Sequence, residues 1–579
     1  LYWDNVAESS FDPITESYDF EGYVIYRSTD PSFLDQQTIT DANGSKFLFE
    51  PLKTVDGASA KFDVVNDYSG LSAIPYTGRG ISYNLGENTG LRHVFVDSNN
   101  VVNGQTYYYA VVSYDHGDAE LMVAPAECSK TITVNPETGE VILDVNTISI
   151  VPRPVTAGYV SSAIDSNIIV QTQGNGTGLV DVNIIDHTAI EDENNFMIIF
   201  NDQDGLSYSV LDEKTVSDTI TARLGQYHKL SHKNVDTTSF VLSLSNGNLL
   251  IEYADFDLLD SDGQILIHTD GSISEEQILI ASYQYYPIRN STKLSSEEGN
   301  TIFDGMTLTV QNEELELDES MTSWNNSSPN NWTAVVKPFN NLGVNKYPAD
   351  YEIRWFDNPV SSNYRPGYEH VKANFEVWET TRGFQAKQMP FLMIENISAD
   401  SIWNPGERII LLSDSTVSSY TWELTFYESE EDTLAVTPVE GDVFSVFTNR
   451  SFADDIFTFS TTASKELSVV EKENMNDIYV VPNPYVVSSN IEPLDLQNPQ
   501  DRGPRRVYFA NLPSNCTINI YTMSGELVRS LNHNSSIEDG IKYWDLTTSD
   551  NFPVSFGMYI FHVKSDNGNE STGRFAIIK

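Results

Sequence analysis

Cysteine is nearly absent: Cys128 and Cys516 are the only two in 579 residues, far apart and in what read as different domains. A disulfide framework is thereby excluded, and both are expected to be free, buried, small apolar residues. Such scarcity suits a secreted protein that relies on large cores rather than staples. Cations are scarce as well, with 33 Lys and Arg against 83 Asp and Glu and a formal net charge of -50. A nucleic-acid partner needs clustered Lys and Arg, and only Arg502, Arg505 and Arg506 come close, so nucleic acid is disfavoured, as is an anionic membrane surface. Long apolar runs are missing too, so no helical membrane insertion is expected. HExxH, GxSxG, Walker A and GxGxxG patterns do not occur, and the expectation is a protein that is not an enzyme. The chain opens at Leu1 with no basic segment followed by an apolar one. That start is expected to be a processed or truncated end, with any signal peptide upstream and further domains before residue 1 left open.

What is present is short alternating segments rich in Val, Ile, Thr, Tyr and Phe, separated by Gly, Asn, Asp and Pro, with almost no helical periodicity. The fold class expected is all-β, as tandem immunoglobulin- or fibronectin-like β-sandwich domains. Residues 1–133 carry Leu1-Tyr2-Trp3-Asp4, the strand Gly22-Tyr23-Val24-Ile25-Tyr26-Arg27 and the strand Gln105 to Tyr114. These resemble a fibronectin type III domain with elaborated loops over residues 30–100. Two sandwiches are expected at 134–275 and 276–388, or one large unit made of both. A small all-β domain is expected at 389–464, a charged linker at 465–476 and a last domain at 477–579.

That last region carries several motifs in order. Tyr479-Val480-Val481-Pro482-Asn483-Pro484-Tyr485 comes first, then Val507 to Pro513. The hairpin Thr517 to Val528 follows, turning at Ser524-Gly525. Tyr543-Trp544-Asp545-Leu546 and Phe556-Gly557-Met558-Tyr559-Ile560 precede a closing strand ending in Lys579. Together they resemble the C-terminal sorting domain of the type IX secretion system and the related immunoglobulin-like domain of flagellar hook-capping proteins. The resemblance implies an exported, cell-surface protein of a Gram-negative-type bacterium that engages outer-membrane secretion machinery. The motif residues it marks are Pro482, Asn483, Pro484, Gly525, Trp544, Asp545, Gly557, Tyr559 and Lys579. The Pro-Asn-Pro unit fixes φ twice and removes two backbone donors, giving a pinned entry.

Other residues suggest ligands. Asp255, Asp257, Asp260 and Asp262 fall within nine residues ending in Gly263, and Asp202 and Asp204 form a shorter oxygen-rich loop. Both are candidates for calcium, a cation that takes six to eight oxygens, although neither supplies the EF-hand's twelfth-position Glu; solvated Asp-Gly hairpin turns are the competing reading. Trp324 and Trp332 flank a polar stretch and are candidates for stacking on a surface glycan, against the alternative that both fold back onto a sandwich end. His228 and His232 have the i, i+4 spacing of a helical metal pair but sit in loop-like sequence with no third ligand nearby. The leading functional expectation is a non-catalytic structural or adhesive surface protein, open to self-assembly into a layer or filament. The alternatives are the non-catalytic C-terminal part of a larger exported hydrolase, and a carbohydrate-binding protein.

Overall fold

A computed structural model describes residues 1–578 apart from 136, 166–168, 295–301, 326–327, 340–346, 363–370, 382–383, 414–419, 429–435, 487–491 and 493–504. The described chain is all-β, with a single α-helix, Ser468–Asn474.

The first unit is built around a four-stranded sheet in the order Thr147–Ile150, Tyr107–Asp115, Phe20–Ser28, Lys61–Asp63. Phe20–Ser28 is buried along nearly its whole length, because alternate residues enter two different cores. Val24 and Tyr26 join Phe33, Tyr83 and Tyr114, whereas Ile25 joins Phe62, Tyr107 and Tyr109. The covering layers are short ribbons such as Leu71–Pro75 with Ser82–Asn84. The expected boundary at 133 is too early, since Thr147–Ile150 pairs with Tyr107–Ala110 and belongs to this unit.

The second unit is discontinuous in sequence. Its main sheet contains Ala163–Ile164 and Val170–Gln173 on one side of Ile456–Thr462, then Asn194–Asn201, Ser207–Thr221, Ile278–Ser291 and Val241–Leu244. The facing layer is Leu179–Ile184 paired with Met306–Gln311. Ser207–Thr221 and Ile278–Ser291 are long enough to serve two cores, one around Phe196, Ile198 and Phe200 and one around Ile220, Leu279 and Tyr283. A break at 275/276 therefore cannot stand; it would divide two strands paired from Tyr208 to Thr221.

A third sandwich is inserted into the second. Tyr351–Trp355 pairs with both Phe375–Glu379 and Val443–Val446, and the other sheet runs Thr333–Pro338, Tyr420–Tyr427, Arg408–Leu412, Phe391–Ile394. Its core holds Trp332, Trp355, Trp403, Trp422, Phe375 and Phe426. The inserted sandwich thus joins the later part of the expected domain 276–388 to most of 389–464, whereas Ile278–Ser291, Met306–Gln311 and, on the chain's return, Ile456–Thr462 belong to the second unit. Where it leaves and re-enters, Glu316–Leu317 pairs with Thr448–Asn449, and buried Arg450 bonds Asp350 at 2.7 Å.

The expected linker 465–476 is folded. Lys465–Glu466 pairs with Tyr159–Val160, a helix follows, and Met475 enters the last core. That final sandwich stacks a three-stranded sheet (Tyr479–Val481, Val507–Ala510, Lys542–Trp544) on a five-stranded one.

Candidate functional site

The final sandwich shows what most of its motif residues do. Tyr479–Val481 pairs in one sheet with Val507–Ala510, and Tyr485–Val486 pairs in the other, parallel to Glu570–Ile578. Pro482-Asn483-Pro484 is thus the crossing between layers. Asn483 accepts the N–H of Ala576 at 3.1 Å and donates to the carbonyl of Arg574 at 3.4 Å, so its side chain occupies the strand edge as a short mimic of backbone pairing. Gly525, at φ 89°, makes the hairpin turn. Trp544 is buried, its indole N–H donating to the carbonyl of Thr547 at 2.9 Å. Asp545 ties that turn by accepting from the N–H and hydroxyl of Thr547. Tyr559 stacks on Phe575 and donates to the carbonyl of Ser555 at 2.6 Å, while Gly557 starts the strand opposite Ile577. Lys579 lies outside the described residues, as does most of the loop before Val507.

This sandwich is docked on three earlier segments. The Tyr508 hydroxyl donates to the carbonyl of Asn103 at 2.9 Å, and its ring lies where a side chain on Gly104 would be, 2.6 Å from an added Cβ. Residues 154–157 run alongside: Gly540 N–H donates to Pro154 O, Thr156 N–H to Ile537 O, and Ala157 N–H to Leu512 O. On the helix, Glu471 is 1% exposed and accepts from the amides of Asn567 and Asn569 at 2.7 and 2.9 Å. Glu466 accepts from the N–H and hydroxyl of Ser514.

The first unit contains a cleft of about 810 Å³ bordered by Tyr26, Phe49, Lys61, Tyr83 and Glu87. Lys61 places its ammonium 4.1 and 4.3 Å from the ring centres of Tyr83 and Tyr114 and donates to the carbonyl of Asn84. Burial lowers it to about 8. Behind it, Glu21 and Asp63 are fully buried. Asp63 accepts from the backbone of Asn88 and Thr89, but one Glu21 oxygen has no partner. Burial, reinforced by the Asp63 charge, pushes Glu21 up to about 7. Sequence reading missed this group; the signal was a Glu near the head of a strand whose middle is apolar and aromatic. The folded state holds a proton on Glu21 that the unfolded chain releases at the ordinary value near 4.5. Stability is therefore greatest below that value and falls as pH rises through about 7. Glu21→Gln is expected to raise the melting midpoint by a few degrees at pH 7.5 and to flatten its dependence between pH 5 and 7.5, as measured by calorimetry.

The residues singled out as ligands are not brought together. Asp255 is buried and accepts from the N–H of Ile251 and from the N–H and hydroxyl of Ser272. Asp257 pairs with His268 at 3.0 Å and Asp260 with Arg289 at 2.6 Å, while Asp262 is exposed in a turn, as are Asp202 and Asp204 in theirs. Among the described residues no three His, Cys, Asp or Glu side chains gather as metal ligands; Asp255, Asp257 and Asp260 are each taken up by a different partner. His228 lies on the strand Tyr227–Lys229, whereas His232 stacks on Tyr285. Trp332 is buried between Trp355 and Trp403. Trp324 packs on Trp355 and Phe426 and donates its indole N–H to the carbonyl of Trp332 at 3.0 Å. Both rings are spent on the core, which corrects the expectation of an exposed glycan platform. Cys516 is buried as expected, its thiol pushed up to about 12, but Cys128 is exposed: it sits in a connecting segment alongside the central sheet, its N–H donating to the carbonyl of Ser113.

No protein-family model and no curated protein matches this chain. Among solved structures it is similar to PorZ, a surface component of the type IX secretion system of Porphyromonas gingivalis, at 11% identity over 87% of this chain and 67% of that one, with a TM-score of 0.17. It is also similar to dimeric latent PorU from Porphyromonas gingivalis, at 9% identity over 56% and 42% of the two chains and a TM-score of 0.12. A tetra-tandem repeat from the extending region of a large adhesion protein matches at 13% identity over 97% and 92%, with a TM-score of 0.10. At TM-scores this low none of these likenesses bears on what the protein does.

Proposed function

We propose that this is a non-catalytic structural or adhesive protein of the bacterial cell surface, exported through outer-membrane secretion machinery that reads its C-terminal sandwich. The observation that carries the reading is the integration of that sandwich. The described motif residues build a two-layer domain, and the domain is bonded to residues 103–104, 154–157 and 466–471. An address held this way stays on the mature protein as part of its structure. Consecutive sandwiches, with side chains spent on cores and on ion pairs between units, suit a load-bearing surface element.

The test compares a bacterium that has a working type IX secretion system with a derivative lacking it, each producing the full chain. Surface protease accessibility is expected only in the first, and mass spectrometry of surface material is expected to recover peptides from both the first unit and residues 557–578. Equal surface display in the two strains would overturn the export route, and loss of the terminal peptides would overturn retention.

A further inference from the structure

The two cores of the second unit meet where Ser207–Thr221 breaks register with Ile278–Ser291 between Asp212 and Val216. Asp212 is buried there. It accepts from the N–H of Lys214 at 2.8 Å, and the Asn194 amide and the Tyr285 hydroxyl lie beside it. Asp304 reaches the same place from the turn before Met306–Gln311, and its Oδ2 is buried with no partner. Asn194, 6% exposed, lies against Asp212, and its Oδ1 has no partner either. Lys214, the nearby cation, is turned to Glu191. Burial and the charges of Asp212 and Glu191 push Asp304 up to about 6.

Unpartnered buried oxygens beside two carboxylates call for a missing positive charge. A water molecule would satisfy the neutral amide oxygen but would leave the carboxylates repelling each other. We propose that Asp212, Asp304 and Asn194 hold one divalent cation of the calcium class at this junction. The oxygens come from a strand end, a bulge and a turn, an irregular set that calcium accepts and that magnesium, with its demand for a near-ideal octahedron, does not. The bound ion staples the turn at Asp304 and the start of Asn194–Asn201 to the bulge, fixing one core against the other. The site is distinct from both aspartate-rich turns.

The probes are calcium and terbium on the full chain. Calcium added after chelation is expected to raise the melting midpoint by several degrees, with magnesium giving less. Terbium is expected to bind at one site with emission sensitised by Tyr285. Asp304→Asn, isosteric and relieved of the carboxylate repulsion, is expected to fold in chelator and to lose both responses, while Asp260→Asn keeps both. Absence of a calcium response in the parent overturns the site, and so does a response that survives Asp304→Asn. A variant more stable than the parent in chelator, with calcium inert on both, would show that the pair holds a proton instead.

Discussion

Arg450→Met is expected to lower stability by about 3–5 kcal/mol, the usual cost of stranding one partner of a buried ion pair. The side chains of Arg450 and Asp350 are 5% and 8% exposed, with 2.7 Å between Nη1 and Oδ1. Arg450 also donates from Nε to the carbonyl of Asn175 at 2.8 Å, so it holds a loop of the second unit and a residue of the inserted sandwich together. Asp350 takes a further bond from the N–H of Thr448 at 3.0 Å. Replacing Arg450 alone leaves the buried Asp350 carboxylate without its cation and the Asn175 carbonyl without its donor. Replacing both, as Arg450→Met with Asp350→Leu, removes the uncompensated charge, and most of the loss is expected to return. A double-mutant cycle by urea unfolding measures this. If the single variants melt like the parent, the pair does not couple the two sandwiches.

Glu471→Ala is expected to cost about 2–4 kcal/mol, because two amide donors, Asn567 and Asn569, lose a charged acceptor in a buried place. Glu471→Gln keeps one acceptor and is expected to lose less. The loss should fall on docking rather than on the core of the last sandwich. An earlier transition should therefore separate in calorimetry, and protease should cut near 467–478 before the rest of the chain opens. A single unchanged transition would mean that residues 103–104 and 154–157 hold the sandwich without the helix.

Alternation made the strands legible: Asn194–Asn201 buries every second residue, and the motifs after Tyr479 occupy the positions their chemistry demands. Pairing partners were not legible. Nothing in Ile456–Thr462 says that its neighbours are Asn194–Asn201 and Val170–Gln173, because an alternating strand encodes a face and not a partner. The same gap misled the reading of Trp324 and Trp332, whose polar neighbours suggested exposure while tertiary packing took the rings. It also hid Asp304, whose approach to Asp212 depends on a register break and a turn 92 residues apart in the chain.

The interrupted second unit has a consequence for the order of events as the chain emerges. Phe196, Ile198 and Phe200 share a strand whose neighbour on one side arrives only after about 250 further residues have been made. Until then that sheet has an open apolar border, the kind that recruits foreign strands. The polypeptide must be shielded, or kept unfolded along this border, until Ile456–Thr462 has been made and can close the seam.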